Sequence, residues 1–397
     1  MSLELLLVIA VFAMLGRLGA GKLLGNRSLP PALKIITQTG TLFIAIGALA
    51  GPGGLGLVKA NQLRDMHPVL VICTGWIGFL YGCHFEVRHL RLVPGGMLAA
   101  SFAVSVLSGG IIATAAWFLL PMLLPSLDAQ QTLAAAFALG ICGAGTAPAG
   151  VFLLARNPHV SRHDIRALQV LTAFDEIPAV LGLAVLLSWL PHPSAVIPAW
   201  QLFLAQLALG AVIGVGTHLV FPAHDDQRDR SVILIAVAAL SAGAADLLVV
   251  SPLMVSLVAG MVFMNLSPRG EAAFGLMAAP AHTLFATFLL LCGALLQFTL
   301  QGYLVAAAAV YVVVRTVAKI TSARVSHKLF MPSTHLHPLL GSGMLFQGGV
   351  SLVIAIEVAD HLPGGAGSPI LTVVVAAVFL NEVLGNSLAG IALATRR

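Results

Sequence analysis

Charge is what this chain has least of. Asp, Glu, Lys and Arg supply 9% of its 397 residues, where a soluble domain carries roughly 25%. Too little polar surface is left to coat a water-soluble particle. With 59% hydrophobic residues and a mean hydropathy of +1.00, the composition implies a polytopic, all-α membrane protein. Cysteine is scarce too. Cys73, Cys83, Cys142 and Cys292 stand in or beside apolar segments with no CxxC pair, which argues against a disulfide framework or a thiolate metal site. No hydrophilic stretch is long enough for a second domain, so residues 1–397 are read as one transmembrane domain without a soluble regulatory part. There is no HExxH, no P-loop, no GxGxxG after a strand and no nucleophile elbow. Nothing supports hydrolysis or ATP use, so the chain is not read as an enzyme. The formal charge of +5 does not indicate nucleic acid, because the basic residues lie in short loops rather than on one face.

The apolar runs set the organisation. At about 20 residues per span, thirteen are predicted, near 3–16, 31–50, 68–85, 95–120, 131–155, 167–190, 197–221, 231–248, 250–266, 280–298, 302–322, 337–358 and 368–392. Residues 1–15 carry only Glu4, and Arg17, Lys22 and Arg27 follow. A signal peptide has the reverse order, so this is expected to be a first span entering from outside. Every loop or terminal Lys and Arg then falls inside except Lys59 and Arg64. That is the positive-inside pattern, with the C-terminus cytoplasmic.

Two features break the apolar pattern. Span 5 contains a helix-breaking run from Gly140 to Gly150, including Gly145, Thr146 and Pro148; span 6 contains the adjacent carboxylates Asp175 and Glu176. Broken backbone survives in lipid only where it is buried in protein or lines a cavity. An ionisable side chain there usually marks an ion or proton path. Offsetting by seven spans finds counterparts: span 12 is interrupted from Gly341 to Gly349, through Gln347 and Gly348, and span 13 carries Asn381 and Glu382. An odd offset inverts one copy, so spans 2–6 and 9–13 read as inverted repeats. Paired broken helices of this kind point to a secondary-transporter site.

Asp175 and Glu176 would bind a monovalent cation and exchange it for a proton; the structural alternative is a carboxylate tied to a neighbouring helix. Thr146 and the freed carbonyls around it are candidate oxygen ligands, against the plainer reading of a kink or close packing. Arg315 and Lys319, four apart in span 11, share a helix face. Either could pair with Asp175 or Glu176, while Lys319 could instead snorkel to the cytoplasmic end. Glu382 is a further site carboxylate or a helix-end acceptor. Asp246 and Glu357 are expected near outer ends, and His159 and His163 on a solvated basic face.

At these residues the chain resembles the bacterial monovalent cation:proton antiporters, particularly their second subgroup, within the sodium/hydrogen exchanger superfamily. The run from Gly51 to Val58 resembles that family's GPxxLGL turn. Gly78 to Gly82 with Glu86, Arg88 and Arg91 resembles its FLxG…D…R pattern, and Thr146 to Pro148 its TAPA or TSPA break. Ala173 to Glu176 resembles the paired-aspartate motif. The stretch from Ser251 to Gly260 resembles the SPxxxxxxAG helix, Arg315 to Lys319 the RxxGK motif, and Gln347 to Gly349 the second broken helix. Glu176 departs from the usual second Asp. Two registers stand: both carboxylates titrate, or Asp175 alone holds the ion.

The resemblance implies a homodimer in the inner membrane. Spans 4–6 and 11–13 would form a mobile core and spans 1–3 and 8–10 a dimerisation scaffold, moving as an elevator. It implies sodium or lithium exchange for protons, with potassium the alternative ion and no cofactor beyond the transported ions. An organic-anion symporter of related fold and a transport-dead sensor are the competitors. The first would need a wide cavity with anion donors, the second no titrating carboxylate.

Overall fold

The structure is a computed structural model and describes residue 14 and residues 40–190, 197–221, 227–268, 270–296, 302–362 and 366–394. The expected span 1 and residues 31–39 of span 2 therefore lie outside the described residues, apart from Met14. In order the chain forms α1 (Thr41–Ala50), α2 (Ala60–Asp65), α3 (His67–Cys83), α4 (Val87–Leu90), α5 (Gly95–Leu123), α6 (Ala129–Ala144), α7 (Pro148–Leu154), α8 (Arg162–Phe174) and α9 (Glu176–Trp189). Then follow α10 (Ala199–Val220), α11 (Gln227–Leu247), α12 (Pro252–Leu266), α13 (Gly270–Ala294), α14 (Gly302–Phe330), a 3-10 turn (Leu340–Met344), α15 (Gly349–His361) and α16 (Gly367–Ala392). The only extended pairing among the described residues is an isolated bridge between Val160 and Ala394. Among those residues eight helices, counting α6–α7 and α8–α9 as one each, are long and apolar enough to cross a membrane; α3 and α12 are shorter and apolar.

Two helices outrun their apolar runs. α13 begins at Gly270 rather than near 280, with Pro280 inside it; in lipid the backbone has no better option than to stay helical around one missing hydrogen bond. α14 continues past residue 322 to Phe330 and stops before Pro332, because a residue preceding proline avoids the α region. Local chemistry also starts helices where it should. At α6 the Asp128 carboxylate accepts from the Gln131 amide at 2.7 Å and the Gln131 side chain accepts from the Asp128 amide at 3.2 Å, a capping box.

The described chain divides into two compact units. One comprises Phe43–Leu92 and Leu187–Leu295. Its centre is α12, whose Gly260 lies against the Phe79 carbonyl while Gly82 of α3 lies against the Leu257 carbonyl; a Cβ at either would come within about 2 Å of that oxygen. Small residues let membrane helices approach this closely and gain dispersion contacts that lipid cannot replace. Trp76 donates its indole N–H to the Met277 carbonyl at 3.2 Å, tying α3 to α13. Asp246 at the end of α11 pairs with His67 at 3.1 Å.

The other unit comprises, of the described residues, those within 40–42, 93–186 and 296–394. There α5 packs along both α6 and α14, and α16 along α14 and α15. Both expected interruptions are present. α6 stops at Ala144 and α7 starts at Pro148, while the 3-10 turn ends at Met344 and α15 starts at Gly349. The two breaks touch: the Ala147 amide donates to the Phe346 carbonyl at 3.2 Å.

Candidate functional site

The crossing of the two breaks exposes carbonyls that have no helical partner; Arg315, Lys319 and Gln347 take them up, and Tyr311 bonds a carbonyl about a turn further back in α6. Arg315 is fully buried and spans both breaks. It donates to Gly143 at 3.1 Å and Gly145 at 2.9 Å on one, and to Leu345 at 2.6 Å and Phe346 at 3.2 Å on the other. Lys319 donates to the Ala144 carbonyl. Gln347 donates to the Cys142 carbonyl at 2.9 Å and Tyr311 to that of Leu139 at 3.4 Å. Two cations at a helix C-terminus also complement its partial negative charge.

Asp175 sits beside this crossing. It falls at a break of its own, between α8 and α9. Pro178 has no N–H to give the carbonyl four residues back, that of Phe174, so the helical ladder is interrupted there. The freed turn carries the carboxylate to Thr146. Asp175 Oδ1 accepts from the Thr146 amide at 3.1 Å; Oδ2 accepts from the Thr146 hydroxyl at 2.6 Å and from Lys319 Nζ at 3.1 Å. The Thr146 hydroxyl also lies 3.3 Å from the Met344 carbonyl. Asp175, Thr146 and Lys319 are each 0% exposed. Such a pair is costly to desolvate, and it holds because hydrogen bonds satisfy the remaining valences.

Of the residues singled out from sequence, Asp175, Thr146 and Lys319 are brought into direct contact. Lys319, rather than Arg315, partners the carboxylate and does not snorkel; Arg315 is spent on carbonyls. Glu176 is buried and packs on Gly145, where a Cβ would lie 2.9 Å from Glu176 Cγ. Pro148 opens α7, and Gly348 packs on Ala147. Glu382 is buried, and its neighbour Asn381 donates to Gln347 Oε1 at 3.0 Å. Glu357, expected near an outer end, is buried as well. Tyr311 was not among the sequence candidates. Its signal was there: it lies four residues before Arg315 and eight before Lys319, on the same face of α14, and it accepts from Gln347 Nε2 at 3.3 Å.

Among the described residues no group of three or more His, Cys, Asp and Glu is placed to hold a metal ion. A cation here would instead meet one or two carboxylates with hydroxyl and backbone oxygens, the ligands that hard ions prefer.

A family profile described as sodium/hydrogen exchanger, transmembrane, matches residues 9–389. The chain belongs to the sodium/hydrogen exchanger family. It is accordingly a multi-pass membrane transporter that exchanges cations for protons, and not an enzyme. The structure is similar to that of the sodium proton antiporter MjNhaP1 from Methanocaldococcus jannaschii at pH 8, with a TM-score of 0.69 over 99% of each chain at 15% identity. A structure of the same antiporter from an electron-microscopy map gives a TM-score of 0.63 at 16% identity, over 99% of this chain and 98% of that one. At these identities the likeness is one of fold. No curated protein sequence matches the chain.

Proposed function

We propose that this exchanger moves sodium or lithium against protons through one site centred on Asp175. The observation that carries the reading is a fully buried carboxylate whose oxygens are held by displaceable donors, Thr146 and Lys319, at the meeting point of two helix breaks. Membrane-buried negative charge is too costly to carry bare, so the carboxylate crosses only when a cation or a proton neutralises it. That single rule turns a shared site into obligatory exchange. Lys319 holds the carboxylate when cargo is absent and yields it when a cation arrives, while Thr146 stays as an oxygen ligand. Glu176, against Gly145, is the second carboxylate of the site. The sodium preference draws on the family and on MjNhaP1, which is described as a sodium proton antiporter.

The unit containing Asp175 would act as the moving core of an elevator. The unit built on α12 would be the scaffold through which two subunits form a homodimer in the inner membrane, with the C-terminus cytoplasmic. The test is dequenching of a pH-reporting dye in proteoliposomes on adding sodium, lithium or potassium. The expected result is a sodium and lithium response abolished by Asp175→Asn and weakened by Thr146→Val through a raised apparent KM. A potassium-only response would reassign the ion, and an undiminished response in Asp175→Asn would overturn the site.

A further inference from the structure

The site is sealed in this arrangement: Asp175, Thr146, Arg315 and Lys319 are each 0% exposed. A proton that reaches Asp175 needs a path through the packing. One interface offers it. On α14 the face that carries Arg315 and Lys319 continues, at helical spacing, to Ser322 and Ser326, which are 1% and 0% exposed. Neither hydroxyl has a hydrogen-bond partner among the described residues, and the same holds for Ser105 of α5, also 0% exposed. Leaving a buried hydroxyl unsatisfied is expensive, and three on one helix pair call for a common explanation.

The register of the two helices brings them level. Gly96 lies against the Phe330 carbonyl, and Ala116 shares the wall of an apolar cavity with Val310. Antiparallel pairing on that register sets Ser105 opposite Thr321 and Ser101 opposite Val325, each one residue from Ser322 and Ser326. Ser101 donates to the Leu171 carbonyl at 2.5 Å, one turn before Asp175. Side chains four apart on a helix have Cβ atoms about 5–6 Å apart, too far for a direct hydroxyl bond of about 2.8 Å and right for one bridging water. From Lys319 to Ser326 is about 10 Å along the axis, out of about 16 Å to the helix end at Phe330.

We propose that Ser105, Ser322 and Ser326 line a hydrated seam between α5 and α14 that relays protons from the Lys328 end of the bundle to Lys319 and Asp175. Each hydroxyl accepts a proton from the water on one side and releases its own to the water on the other, so nothing is consumed. Buried waters of this kind need two to four polar partners, which the hydroxyls and the neighbouring carbonyls provide. The serines are positioning residues for the relay and do not touch the transported cation. The relay rests on the exchange reading above, but the seam's hydration does not.

The test separates the two. Ser322→Cys and Ser326→Cys are treated with a charged, membrane-impermeant methanethiosulfonate, with Val325→Cys as the control at equal depth. Val325 is apolar and 40% exposed, off the face that carries Ser322 and Ser326, and the four native cysteines are all buried. Because the thiolate in water is the reactive form, both serine positions are expected to react at least about tenfold faster than Val325→Cys. Reaction as slow as the control at both would overturn the seam. For the relay, Ser322→Ala with Ser326→Ala is expected to lower turnover several-fold at unchanged apparent sodium affinity, with threonine at both positions restoring it. Full turnover in the double alanine variant would overturn the relay. If the unsubstituted protein exchanged no cation at all, the exchange reading would fall while the labelling result still decided whether the seam is wet.

Discussion

Lys319 shows how one side chain can hold a site together and still leave it free to work. Its ammonium divides itself between the Ala144 carbonyl and Asp175, so removing it strips a helix end and strands a carboxylate. Breaking a buried pair from one side costs about 3–5 kcal/mol, whereas removing both partners is far cheaper. Lys319→Gln is therefore expected to lower the thermal midpoint in detergent markedly, and adding Asp175→Asn to recover most of the loss. Additive losses in the double variant would mean the two residues are not energetically coupled. At this scale the sequence said which residues matter better than it said how they pair. Asp175, Thr146 and Lys319 announced themselves as polar groups in apolar runs. That Lys319 takes the carboxylate and Arg315 the carbonyls depends on where two chain breaks cross, about 200 residues apart in sequence, and no local pattern encodes that.

The two breaks were legible as elements because glycine and proline punctuate them plainly; the interruption at Asp175, ahead of Pro178, was not expected from the sequence. Their closeness was not. Gly150 of α7 faces the Phe346 ring so tightly that a Cβ would lie 1.9 Å from Cγ, the root of the ring rather than its mobile edge. Neither backbone nor ring can yield by that much without moving the crossing. Gly150→Ala is expected to abolish sodium-driven proton release and lower stability, with Phe346→Leu restoring part of both. An alanine variant that transports normally would show that the crossing is looser than its contacts imply. The ends of α13 and α14 were misread for a different reason. Hydropathy reports where lipid-like residues lie, while a helix ends where its backbone loses a partner, and Pro280 does not end one whereas Pro332 does.

For the whole molecule, the proposed sidedness rests on charge alone, and it is open to a direct check. With the C-terminus cytoplasmic, a cysteine at Lys328 should react with an impermeant thiol reagent only in inside-out vesicles. One at Lys59 should react only in right-side-out vesicles. Labelling of both from one side would overturn the orientation. The general architecture was readable because lipid permits so few spanning structures; a division into core and scaffold came only from the family resemblance, since physically it depends on which faces meet. The arginine that spans both breaks has a last consequence. An exchanger passes at every turnover through an instant when one ion has left and the next has not arrived. In a pocket assembled by its cargo, that instant would be a partial unfolding, and each cycle would repay the ordering entropy. Here the frame of the site rests on four donor bonds from Arg315 to the two breaks, none of which involves the cargo, so it does not have to be rebuilt at each turnover.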